Sequence, residues 1–164
     1  MTQAALHVWK IVVAAKTRAK ERLEQELADA RRHREELIEA TEQANEVFEG
    51  AQSRRLAHEE RIAQLLSSPD GLSPLAYLDH DRYREPLGQA VDEARTALTR
   101  AIEAAEAQQQ AVEQLGIAVR RADASLEAAR EQLKKAIAAA ERRVEERNDE
   151  EAGETAAARM HRGV

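Results

Sequence analysis

The chain has 164 residues, a net charge of −6, 34% charged residues and no cysteine, which removes disulfides, thiolate metal sites and thiol nucleophiles and fits a reducing compartment. Its only aromatic residues are Trp9, Phe48, Tyr77 and Tyr83, in a sequence dominated by Ala, Glu, Arg, Leu and Gln. A globular core of this size draws much of its area from aromatic and β-branched side chains, so the composition argues for an elongated all-α fold.

The first predicted element is a long helix over 1–66. Steps of three and four residues run from Leu6 through Trp9, Val13, Leu23, Leu27, Ala30, Leu37, Ala44, Phe48, Ala51 and Ile62 to Leu65, the 3.5-residue period of a coiled-coil seam. Lys16, Lys20, Arg34, Thr41, Arg55 and His58 occupy the other six of its eighteen positions, and half-buried cations there need acidic partners or a route to water. The opening twenty residues hold Lys10, Lys16, Arg18 and Lys20 and no acid. That resembles a targeting segment, but Lys10 interrupts the apolar stretch and Leu6, Trp9 and Val13 already hold the seam register, which favours a structural or binding helix. No apolar run approaches the roughly 20 residues that span a bilayer, so direct membrane insertion is not expected.

The periodicity stops at Ser67-Ser68-Pro69-Asp70-Gly71-Leu72-Ser73-Pro74, a turn-rich cluster that predicts a hinge over 67–81. Ser73 followed by Pro74 is an N-cap and first-turn pair, so a short helix through Leu78 is expected there.

A second long helix is predicted over 82–148. From Leu87 to Ala140 the same stepping visits sixteen positions, fifteen of them apolar, with Gln108 the exception. Pro86 cannot donate a backbone hydrogen bond, so this helix either begins near residues 81–83 or bends there. If the chain folds back on itself around its middle, facing residue numbers add up to roughly 148, within about one turn. Lys16 and Lys20 then meet Glu127 and Glu131, Arg34 meets Glu113, and Arg55 meets Asp92 and Glu93. The expected fold is an antiparallel two-helix coiled-coil hairpin, one domain on the order of 90–100 Å long, monomeric or weakly dimeric. The period continues to Val144; Asn148 and the acids after it then oppose the helix dipole, so 149–164 are expected to form a frayed, mobile tail.

Little in the sequence suggests catalysis. A two-helix rod has little concave interior in which to build a pocket, the five histidines are scattered, and no phosphate loop or nucleophile motif occurs. Asp79-His80-Asp81 is the one acid–imidazole cluster and reads as turn and cap chemistry rather than a metal site. No enzyme activity, cofactor or metal is expected. Bases interleaved with more numerous acids, without stacking aromatics, argue against nucleic acid.

Three local features resemble the FliJ/YscO/SctO family of coiled-coil stalk proteins from flagellar and type III secretion export ATPases. They are the basic amphipathic start from Leu6 to Arg22; Tyr83-Arg84-Glu85-Pro86-Leu87 followed by Ala90 and Ala94; and the acidic Asp149-Glu150-Glu151-Ala152 followed by Ala156-Ala157-Ala158-Arg159-Met160. Pro86 departs from the family pattern. The resemblance implies a fold like the central coiled coil of a rotary ATPase, its terminal end inserted in a hexameric secretion ATPase through Lys10, Lys16, Arg18 and Lys20. Its hinge end would meet a membrane export-gate protein through Tyr83, Leu87, Ala90 and Ala94. It also implies a cytoplasmic location at the secretion apparatus on the inner membrane. An escort chaperone for secretion chaperones or substrates, and an unrelated coiled-coil scaffold, are the competing readings.

Overall fold

The computed structural model describes residues 2–163. It contains three helices and, among the described residues, no strand: α1 (Thr2–Leu66), α2 (Pro74–Asp81) and α3 (Arg84–Arg162). Segments of α1 and α3 pack antiparallel, giving the two-helix hairpin that the paired seams predict. Packing divides it into two compact units, Met1–Leu27 with Leu115–Val164 and Ala28–Gln114. In a two-helix coil each residue touches only side chains at its own level, so packing is local along the helices.

Both seams are covered. All sixteen α3 positions from Leu87 to Ala140 are buried or half-buried, and of the eighteen α1 positions Arg55 alone is exposed. In the unit Ala28–Gln114, Ala51, Val91 and Ala94 form a buried cluster against Phe48, and the Arg95 guanidinium lies 5.8 Å from the Phe48 ring centroid. In the other unit Leu27, Leu126 and Ala129 are the buried residues.

The register differs from the expected one. Lys20 Nζ donates to Asp123 at 2.7 Å, Lys16 Nζ to Ser125 Oγ at 2.5 Å, and Arg34 Nη1 to Gln109 Oε1 at 3.2 Å. Arg34 thus meets a side chain one turn before Glu113. Glu127 and Glu131 pair instead with Arg130 and Lys134 on their own helix; Asp92 pairs with Arg95. The reversal is centred on Gly71, whose φ of 67° is the only positive one among the described residues, and glycine enters that region without steric cost. Centring there moves every α1 residue about a turn along α3 relative to the expected pairing.

The hinge forms by local hydrogen bonding. Gly71 N donates to Ser68 O at 2.9 Å, and Ser73 Oγ caps α2 by accepting from Ala76 N at 3.2 Å, with Pro74 in the first turn. Helix α3 begins at Arg84, its first bond running from Leu87 N to Tyr83 O at 3.0 Å. Pro86 therefore sits in a first turn, where no N–H has an intrahelical acceptor, and neither an earlier start nor a bend is needed.

At its other end α3 continues to Arg162 instead of fraying at 149. Every described residue from Glu141 onward is exposed, Val144 to 53%, so the covered stripe stops at Ala140. Alanine, glutamate and arginine carry the helix on by propensity, where packing no longer contributes.

Candidate partner-binding surfaces

The four cations of the first helix fall into two kinds. Lys10 and Arg18 are exposed. Lys16 and Lys20 lie on the seam and are held by α3. The Asp123 hydrogen bond raises the Lys20 ammonium above the ordinary lysine range, and the same bond holds the Asp123 carboxyl below the ordinary carboxylate range. Charge-assisted pairing favours both ionised forms. Lys16 and Lys20 therefore hold the pairing of α1 with α3, and Lys10 and Arg18 are the cations of this set turned to solvent. Trp9, Lys16, Ser125, Ala129 and Gln132 line a shallow groove along the same segment.

The four hinge-end residues also separate. Tyr83 is exposed, Leu87 and Ala90 are half-buried, and Ala94 is 6% exposed within the Ala51 cluster. Ala94 is a seam residue, so it serves packing and leaves Tyr83, Leu87 and Ala90 as the accessible part of that stripe.

Arg84 organises the hinge end. Its Nε and Nη2 donate to the two carboxylate oxygens of Glu59 at 3.0 and 3.1 Å, and Nη1 donates to Tyr77 Oη at 3.1 Å and to Asp81 Oδ1 at 3.0 Å. The guanidinium also lies 5.7 Å from the Tyr77 ring centroid. Its hydrogen bond to Glu59, then that to Tyr77, raises its pKa above the ordinary arginine value. His58 Nε2 donates to the His80 carbonyl at 2.8 Å, which requires the proton on Nε2, and the His58 ring meets Tyr83 edge-on. These contacts draw Tyr77, His80 and Asp81 inward and leave Leu75, 77% exposed, and Leu78 in solvent. Asp79 and Asp81 face Arg82 and Arg84. Among the described residues no three His, Cys, Asp or Glu side chains converge on a common point.

The Asp81–Arg84 spacing of three is legible in the sequence, but the pairing with Glu59 follows only from the fold. Leu75 and Leu78, three apart on a short helix, form an exposed apolar pair that no sequence pattern singled out.

A family model described as bacterial type III secretion protein (HrpB7) matches residues 5–160. The chain belongs to the HrpB7 family. No curated protein and no solved structure matches it. As an HrpB7-family member it is a type III secretion protein, which ties it to the secretion machinery. Among the described residues no helix is long and apolar enough to cross a membrane.

Proposed function

We propose that this HrpB7-family chain is the non-enzymatic central stalk of a type III secretion export ATPase, of the FliJ/YscO/SctO kind. The observation that carries the reading is a family match over residues 5–160 on a chain that is an antiparallel two-helix hairpin. The paired ends of α1 and α3 would enter a hexameric secretion ATPase, with Lys10 and Arg18 available to it. The hinge end, carrying Tyr83, Leu87 and Ala90 and widened by Leu75 and Leu78, would engage the cytoplasmic part of an export-gate membrane protein. Long uninterrupted helices suit such a link, since they transmit displacement between two partners without chemistry of their own. The grooves along the hairpin are open and lined by neighbouring helix residues such as Gln52, Arg55, Leu56 and Glu59, which suits a binding role rather than catalysis. The reading needs no metal or cofactor, and it puts the protein in the cytoplasm, at the inner-membrane face of the apparatus.

The test is copurification with the secretion ATPase and measurement of ATP hydrolysis in the mixture. A stable complex with altered turnover is expected, and Lys10→Glu with Arg18→Glu should weaken it at least tenfold. No complex and unchanged hydrolysis would overturn the reading. Tight binding to small secretion chaperones with nucleotide turnover unaffected would favour the escort role instead.

A further inference from the structure

Two features of the unit built from Met1–Leu27 and Leu115–Val164 are complementary to one another, and one chain cannot satisfy both. The first is the uncovered end of α3. The Lys20–Asp123 contact brings the first turn of α1 level with the residues around Ala140, so 141–162 run on as a lone helix about 33 Å long. All of it is exposed, whereas most helices in proteins draw their stability chiefly from packing one face against a partner. Its middle carries Glu145, Glu146, Asp149, Glu150, Glu151 and Glu154 against Arg147; Arg159 and Arg162 follow.

The second is the outward face of α1. While Leu6, Trp9 and Val13 face α3, a further stripe of Ala4, Val8, Ile11 and Ala15 is exposed. Residues 3–20 carry four cations and no acid, with Lys10 and Arg18 turned to solvent, and the facing stretch of α3, residues 123–140, is balanced with three cations and three acids. After Lys20 the sign of α1 turns, with Glu21, Glu24 and Glu26. A basic, partly apolar face therefore sits on a chain whose net charge is −6.

We infer that the occupant of this face is the lone helix of a second copy. In a two-fold pairing each chain is double where the other is single. The lone helix of one copy then runs parallel to α1 of its partner, and each such stretch becomes a three-helix bundle. The acids of 145–154 lie beside Lys10 and Arg18, the two cations of this segment turned to solvent, and Arg159 and Arg162 fall beside Glu21 and Glu24. Pairing the two lone helices with each other instead would bring the two acidic stretches together, which is repulsive. The two-fold arrangement makes the same contact twice and closes on itself. The inference does not rest on the stalk reading, and no ATPase enters its test.

Sedimentation velocity on the full chain at low ionic strength should give twice 18.3 kDa, falling to the single mass in about 1 M salt, where screening lengths shrink to about 3 Å. Lys10→Glu with Arg18→Glu in one chain, and Glu150→Lys with Glu151→Lys in another, should each leave a helical monomer, with dissociation constants raised at least tenfold. Mixing the two variants should restore the dimer, because both contacts then join opposite charges. A wild-type chain that stays monomeric at high concentration, two variants that still dimerise alone, or a mixture that remains monomeric would each overturn the inference.

Discussion

Residues 115–140 and 141–162 belong to one continuous helix and are both rich in helix-forming residues, yet the first stretch, which holds three Leu and two Ile, is covered along one stripe and the second, which holds neither, is exposed on every side. The difference lies in what stands at the seam positions. Leu126, Ala129, Leu133, Ala136 and Ala140 continue the stripe in the first stretch; beyond Val144 the next steps fall on Arg147, Glu151 and Glu154 in the second. Composition alone suffices to make helix. Periodicity decides whether that helix acquires a partner within the chain, and so where stability resides.

The sharpest way to break this comparison is truncation at matched positions. Leu126 is 1% exposed, so Leu126→Ala should lower the unfolding free energy by about 2–5 kcal/mol in a denaturant titration. Val144→Ala, of similar chemistry, should change it by less than about 0.5 kcal/mol. Equal effects would mean that the exposed stretch is packed in solution.

A seam position can also be improved. Arg34 lies on the covered stripe of α1, and its Nε is buried without a hydrogen-bond partner. Arg34→Met keeps the apolar stem and removes that atom, so it should raise stability by about 1 kcal/mol, read as a higher denaturation midpoint at unchanged slope.

The Lys20–Asp123 pair makes the covered stretch sensitive to acid. The Asp123 carboxyl is held below its ordinary range in the folded chain, so its contribution is present above the unfolded value of about 3.9 and is lost as pH falls through the lower folded value. Lys20, raised in the folded chain, contributes below the ordinary lysine value and loses that contribution as pH climbs through its folded value. Asp123→Asn should therefore flatten part of the acid limb of a stability–pH profile and leave the His-titrating region unaltered.

The smallest effect on global stability is expected at Gly153, where an added Cβ meets nothing within 4 Å. Gly153→Ala should firm the local helix by up to about 1 kcal/mol. In a monomer it should slow amide exchange over 141–162, while amides of 115–140, protected by packing, keep their rates.

Much of the fold was legible in the sequence because apolar side chains recurring at 3.5 residues admit few arrangements, and the cluster around Gly71 marked the reversal. The register was less legible. Charge matching placed Lys16, Lys20 and Arg34 about a turn away from their actual neighbours, since a chain this rich in Glu and Arg offers opposite charges at many offsets. Apolar packing and the geometry of one glycine select among them. The end of α3 was misread for a related reason: an acidic run at a helix terminus is unfavourable by fractions of a kcal/mol per residue, too little to stop a segment with Ala156, Ala157 and Ala158 ahead. At the hinge end, Tyr83 and Leu87 lie where a partner could reach them, but Ala94 shares the seam period that defines the core. Leu75 and Leu78 went unrecognised because their exposure is set by Arg84 and His58, which act across the chain reversal.

Arg84 gathers Glu59, Tyr77 and Asp81 around a group that stays protonated at any physiological pH. The closed end of the hairpin is thus fastened by a buckle whose cationic half keeps its charge whatever the pH. Loss of the side chain, or a competing carboxylate or phosphate presented in the same forked geometry, would release it.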